Sequence, residues 1–484
     1  MNILFVYSVD DIFSPVKPLR SHEEMQFGIS YISSFLKKHG HRTELVVLSR
    51  MLGRTNDSVL RKTIESFRPS LVCFTAVTSE YRFVVKMASY VRKHFPDIYQ
   101  VIGGSHVSLD PKGVLDNSFD ALCIGEGELP MLELVNKLAS GARVSGIKNL
   151  WMRNGNAIEK NATREYLKDI DSLPFPDRDM WQRWVAPEYR PSYPVLLGRG
   201  CPFQCTYCCN HALRKISGGT YVRMRSPGNI AGEIREVALG GSDRSHFYLE
   251  VETIGSDMDW ALRLCSELER LSIELGRKLS FGTNLRITPN AELERLFSAF
   301  KKSNFKYIKI GVESGSERVR RDVLKRNYSN ADIAHAVKIA RKYGLEIYFY
   351  NLIGVPGETA SDFGETVELN RVCLPDKAFA HIFFPYPGTE LYSVCVRDRL
   401  LNDISGTELE RCKATLDLRG FSRKQIQKSF VWFDYNVYKG HRPLKDLLTK
   451  VLISKCRSDV RLHRLYRTLS YSRVVRRLKK ICSV

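Results

Sequence analysis

No stretch of this 484-residue chain approaches the ~20 uninterrupted apolar residues that a membrane span requires. The first residues, Met1-Asn2-Ile3-Leu4-Phe5-Val6-Tyr7, lack the basic flank and cleavage site of a signal peptide and read as a first buried strand. Twelve cysteines over such a length are too sparse for a disulfide framework, so a reducing, cytoplasmic setting is expected. Acidic residues are in short supply: 53 Asp and Glu against 74 Lys and Arg leave a net charge of +21. The imbalance is local, because Lys439 to Val484 holds fourteen Lys or Arg and two Asp, a surplus of twelve. With 43% hydrophobic and 26% charged residues, disorder is excluded and two or three domains have enough core-forming material.

The first part of the chain, residues 1–165, alternates short apolar runs with helical patterns, the mark of a parallel α/β sheet. Strands are expected at Ile3–Tyr7, Glu44–Leu48, Leu71–Val77, Gln100–Gly104 and Ala121–Gly125. Between them Tyr81–Phe95 reads as a helix, with Tyr81, Val84, Val85, Ala88, Val91 and Phe95 on one face. A doubly wound, Rossmann-like domain of this kind binds ligands beyond the carboxyl ends of its strands. Those ends carry Thr75, Thr78 and Ser79, then Gly103, Gly104 and His106, then Gly125, Glu126 and Gly127. The hydroxyls can bond polar groups and the paired glycines admit close backbone approach. Residues 166–193 contain Leu173-Pro174-Phe175-Pro176-Asp177-Arg178, whose prolines block helix and stiffen a linker. A second array of six strand–helix units is expected over 194–395, with strands at Val195–Arg199, His246–Val251, Leu279–Asn284, Tyr307–Val312, Glu346–Leu352 and Phe379–Phe384, and helices such as Asp257–Leu275 and Asn330–Tyr343.

Directly after the first of those strands stand Cys201, Cys205 and Cys208, at the spacing C-x3-C-x2-C. Structural zinc sites close with four ligands, whereas an iron–sulfur cluster held by three thiolates leaves one iron open. The competing reading is three unrelated buried cysteines. Cys209, adjacent to Cys208, is read as a bystander.

This loop, with Tyr207 before its third cysteine, resembles the cluster loop of the radical S-adenosylmethionine (SAM) superfamily. The run Val101-Ile102-Gly103-Gly104-Ser105-His106-Val107, then Pro111, then Asp120-Ala121-Leu122-Cys123-Ile124-Gly125-Glu126-Gly127-Glu128, resembles the cobalamin-binding domain that precedes many such barrels. The resemblance covers roughly the first 395 residues. It implies an N-terminal cobalamin-binding domain, a partial (β/α)6 barrel and three cofactors: a 4Fe-4S cluster on Cys201, Cys205 and Cys208, SAM and cobalamin. The Asp-x-His-x-x-Gly motif that supplies a histidine to cobalt elsewhere is absent, as is usual in this subfamily. Further SAM contacts implied are Tyr207, Glu252 (or Glu250), Arg286, which follows the third strand with Asn284, Glu313 and Ser314 of Glu313-Ser314-Gly315, and Val355 of Gly354-Val355-Pro356-Gly357-Glu358. Each of these also has an ordinary reading as a βα turn. Pro385-Tyr386-Pro387-Gly388-Thr389 resembles the turn that closes the barrel.

The implied activity is reductive cleavage of SAM to a 5′-deoxyadenosyl radical, with methyl transfer from methylcobalamin to an unactivated carbon of a small-molecule or lipid-like substrate. Relatives with the same domain order perform oxidative cyclisation or ring rearrangement, and a non-catalytic cobalamin- or lipid-binding protein is the alternative of another class. Methylthiotransferases carry a second cluster in the N-terminal domain; here only Cys73 and Cys123 precede Cys201, too few for one. The implied partner is an electron donor such as flavodoxin or ferredoxin.

Residues 396–484 read as a basic, mostly helical segment. Leu444, Leu447, Leu448, Val451 and Leu452 have amphipathic spacing, repeated at Leu462, Leu465, Tyr466 and Leu469 and again at Val474, Val475, Leu478 and Ile481. Three roles compete: helices packed on the barrel, peripheral attraction to an anionic membrane or lipid-like substrate, and nucleic-acid binding. No recognition motif or stacking platform supports the last.

Overall fold

The computed structural model describes residues 1–463 apart from 11, 116–117, 187–191, 242, 290, 402–409 and 460. The chain divides into two compact units, one of Met1–Pro202 with Cys209–Ser226, the other of Phe203–Cys208 with the chain from Pro227 onward.

In the first unit the apolar runs become strands β1 (Asn2–Ser8), β2 (Arg42–Leu48), β3 (Leu71–Thr75), β4 (Tyr99–Gly103) and β5 (Ala121–Cys123). They pair in parallel in the order β2-β1-β3-β4-β5. Ile3, Leu4, Leu45, Val46, Leu71, Val72 and Ile102 are completely buried, as strands covered on both faces require. A hairpin of β6 (Leu150–Asn154) and β7 (Ala157–Lys160) extends the sheet in antiparallel sense. The helix Tyr81–His94 buries Phe83, Val84, Met87, Ala88 and Val91, a face turned slightly from the expected one, with Val85 only half-buried.

The proline-rich linker is tied to this unit. Asp177 pairs with Lys37 (2.7 Å) and accepts from the Ser33 hydroxyl (2.6 Å), and its N–H donates to the Ser30 carbonyl. The Trp181 indole also donates to the Ser30 hydroxyl (2.8 Å). Strand β8 (Ser192–Leu196) follows, three residues earlier than expected, and β9 (Gly198–Arg199) pairs antiparallel with β10 (Arg223–Met224).

The second unit holds five parallel strands in chain order: β11 (His246–Glu250), β12 (Ser280–Leu285), β13 (Phe305–Glu313), β14 (Glu346–Ile353) and β15 (Lys377–Ile382). Alternation sends Phe247, Leu249, Phe281, Ile308, Ile310, Ile347 and Phe349 into the core, while Tyr248, Lys309, Tyr348 and Tyr350 share the other face. Helices between the strands start where the sequence supplies caps. Ser329 with Asp332 and Thr359 with Asp362 form capping boxes at Asn330–Lys342 and Ala360–Cys373, satisfying N–H groups that a helix start leaves unpaired.

Three further helices, Arg423–Val431, Phe433–Tyr438 and Leu444–Ser458, complete this unit's described part. Of the expected apolar stripe on the last, Leu447 is buried at 3% exposure, but Leu444, Leu448 and Leu452 stay 60%, 46% and 61% exposed. Leu465, Tyr466, Leu469, Val474, Val475, Leu478 and Ile481 lie outside the described residues. Among the described residues no helix is long and apolar enough to cross a membrane.

Candidate functional site

In the first unit a cavity of about 300 Å³ opens at the carboxyl ends of β1, β3, β4 and β5. Thr75, Gly103, Gly104, Gly125, Glu126 and Gly127, all singled out in the sequence, line it. The backbone at Gly104 explains one of them: its φ is +104°, and a Cβ would stand 2.6 Å from the Ala76 carbonyl oxygen. Phe27, Ile32, Phe74 and Met131 supply an apolar wall. A glycine rim beside an apolar wall admits close ligand approach, and the size is at the small end for ligand pockets.

Thr78, Ser79 and His106 are not part of that lining. Thr78 Oγ1 lies 3.3 Å from His106 Nδ1, and the His106 ring packs 4.7 Å from Tyr81. Burial lowers the imidazole pKa, so His106 is neutral near pH 7. The Ser79 carbonyl accepts from Arg50 (3.3 Å).

Glu126 is held by partners that no motif revealed. Its carboxylate accepts from Arg199 Nη1 (2.9 Å), Arg223 Nη1 (3.0 Å) and the Leu167 N–H (3.0 Å), and Arg199 also pairs with the buried Glu128. Burial alone would raise the Glu126 pKa; the two guanidiniums and the Leu167 N–H hold it below its ordinary value.

In the second unit the expected SAM contacts follow the strands. Arg286 leaves β12 and donates from Nη1 to Cys205 Sγ (2.8 Å), and its guanidinium carbon lies 3.6 Å from the centre of the Phe203 ring. Asn284, one turn of the pleat earlier, accepts from the Tyr248 hydroxyl (2.7 Å) and donates to the Val251 carbonyl (3.0 Å). At the end of β13 the register shifts between Gly311 and Glu313, and Glu313 takes a φ of +62°. There Arg326 Nη1 donates both to Glu313 Oε1 and to the Tyr207 hydroxyl, each at 2.6 Å. One buried guanidinium thus joins the cysteine loop to the Glu-Ser-Gly element. Gly311 makes room for it, since a Cβ there would be 2.5 Å from Glu313 Oε1.

Ser314 and Val355 are buried inside their turns. The Ser314 hydroxyl accepts from the Ser316 N–H (3.2 Å) and lies 3.4 Å from Thr366 Oγ1, so it serves the turn itself. Val355 sits in a loop closed by Glu358, which accepts from the N–H groups of Gly354 (2.6 Å) and Val355 (3.3 Å). Burial pushes the Glu358 carboxyl up to about 8. Glu252 stands exposed after β11.

Of the three cysteines predicted to hold the cluster, Cys205 is buried and Cys208 half-buried in the second unit, where the Cys208 N–H donates to the Cys205 carbonyl (3.1 Å); Cys201 is half-buried in the first. None of the described cysteines forms a disulfide. Among the described residues no group of three His, Cys, Asp or Glu side chains is gathered as a metal site. Three thiols on eight consecutive residues, one already bonded by a cation, nonetheless suit an iron–sulfur cluster by donor type. Sequence reasoning missed Arg326, Phe203, Arg199 and Arg223, whose partners are remote in the chain and leave no local pattern.

Residues 195–369 match the radical SAM superfamily and residues 21–135 the B12 binding domain. The chain is a cobalamin-dependent radical SAM enzyme, and the cofactors of that class are a 4Fe-4S cluster, SAM and cobalamin. Among its relatives, an uncharacterised methyltransferase of Pyrococcus horikoshii is 25% identical over 83% of this chain and 85% of its own length. The anaerobic magnesium-protoporphyrin IX monomethyl ester cyclase of Rubrivivax gelatinosus is 24% identical over 75% of this chain and 65% of its own. In fold, the radical SAM methyltransferase TsrM of Kitasatospora setae, solved with cobalamin and its 4Fe-4S cluster, superimposes with a TM-score of 0.65 at 15% identity, covering 83% of this chain and 75% of that one.

Proposed function

We propose that this enzyme methylates an unactivated carbon of a small-molecule or lipid-like substrate, with the methyl group carried by cobalamin. The observation that carries the reading is the pairing of a B12 domain with a radical SAM domain in a chain aligned over most of its length with a methyltransferase. The likeness to the cyclase keeps oxidative cyclisation as the competing reaction. When bound, the cluster and cobalamin supply one-electron reduction of SAM and methyl carriage. Cys201, Cys205 and Cys208 hold the cluster in this reading, and the 103–104 and 125–127 glycine loops receive cobalamin. The polypeptide's own part is steric and electrostatic. Arg326 fixes Glu313 and Tyr207 against each other, and the Gly354–Glu358 loop gives SAM a rigid wall. Domain limits of 1–165, 194–395 and 396–484 go with it, as does a one-electron donor of the flavodoxin or ferredoxin type.

The test is label transfer. Extracts of cells lacking the gene are incubated anaerobically with reconstituted enzyme, reductant and SAM bearing a deuterated methyl group. A product three deuterium mass units heavier than an unlabelled methylated control is expected. A product two hydrogens lighter than its substrate, without label, would replace methylation by cyclisation.

Exposed Leu444, Leu448 and Leu452 beside Lys445, Lys450 and Lys455 favour a peripheral lipid contact as a second property. Sedimentation with vesicles containing phosphatidylserine should fall severalfold when the three leucines become serine. Equal sedimentation of both proteins, or none of either, would remove the idea.

A further inference from the structure

Arg286 is held at three points within the second unit. Its main-chain N–H donates to Thr253 Oγ1 (3.2 Å), its guanidinium plane packs on Phe203, and Nη1 reaches Cys205 Sγ. Cys205 is only 7% exposed, and Arg286 Nε is buried without a hydrogen-bond partner. Little solvent therefore screens the pair, and a cation there acts through a lower effective dielectric than at the surface.

Reduction of an iron–sulfur cluster adds one negative charge, spread partly onto its sulfurs, and hydrogen bonds to those sulfurs set its potential. A fixed cation donating to a ligand sulfur stabilises the reduced form more than the oxidised one. We infer that Arg286 is a positioning residue for the electron-transfer step, donating from Nη1 to the Cys205 thiolate so that the cluster accepts an electron more readily. This rests on the radical SAM reading and differs from the expected role as a direct SAM contact. The electron enters from an external one-electron donor and leaves to SAM, so the arginine keeps its charge throughout. Phe203 has a part as well: stacking keeps the planar fork aimed at the sulfur, which a lysine cannot reproduce.

The experiment is a redox titration of the full-length, SAM-free reconstituted enzyme, followed by the electron paramagnetic resonance of the reduced cluster with dithionite as reductant. Arg286→Met is expected to disfavour reduction about tenfold, about 59 mV to the negative for a one-electron couple. Arg286→Lys and Phe203→Leu should give smaller shifts in the same direction, with iron and sulfide content unchanged, and these two carry the test if Arg286→Met fails to assemble a cluster. SAM affinity is measured on the same variants by equilibrium dialysis. Unchanged SAM-free potentials together with weakened SAM binding would overturn the inference and assign Arg286 to SAM alone. A wild-type protein that assembles no cluster at all would instead defeat the underlying family reading.

Discussion

Replacing Cys201, Cys205 and Cys208 together by alanine is expected to abolish the cluster's visible absorbance and to reduce 5′-deoxyadenosine formation from SAM to background. The effect is all-or-none because thiolate is the only iron ligand these positions offer, and one-electron cleavage of SAM needs the cluster. Cys209→Ala serves as the control. It lies next to the third cysteine but outside the C-x3-C-x2-C spacing, and should keep both signals. Loss of signal in the control with retention in the triple variant would reassign the ligands.

The second large effect is on stability. Arg199 neutralises two acids at once in the first unit, Glu126 at 2.9 Å and the buried Glu128. Arg199→Met leaves both carboxylates without that partner, and breaking a buried pair from one side costs about 3–5 kcal/mol. Arg223, on Glu126 at 3.0 Å, compensates only one of them. Adding Glu126→Gln and Glu128→Gln should recover most of the loss, because the penalty comes from uncompensated charge. Urea denaturation of the three proteins checks this. A loss below about 1 kcal/mol in Arg199→Met would mean that water or Arg223 already screens the acids.

These two predictions differ in how far the sequence foretold them. The cysteine spacing is local and survives in any fold, so it could be read directly. Strands β1 to β5 were equally legible, because buried parallel strands are uninterrupted apolar runs. The hairpin β6–β7 was not foreseen: Leu150 and Met152 are buried, but Trp151 and Arg153 are only half-covered, a short and weak alternation. Among site residues, the loops at Gly103–Gly104 and Gly125–Gly127 lie where the strand ends placed them. Glu126 does too, but its carboxylate serves arginines 73 and 97 residues away. Arg326 joins Tyr207 and Glu313 from a loop without periodicity, beyond the reach of any pattern. Ser314 was legible from its motif, but that its hydroxyl accepts from the Ser316 N–H was not.

Cobalamin in the first domain and radical chemistry in the second are checked together by anaerobic reconstitution with iron, sulfide and hydroxocobalamin, followed by gel filtration and quantification of bound cobalamin. About one cobalamin per chain is expected, lost or strongly reduced in Gly104→Val, whose side chain would press on the Ala76 carbonyl and the cavity rim. A folded, cluster-loaded wild-type enzyme that elutes without cobalamin would contradict it.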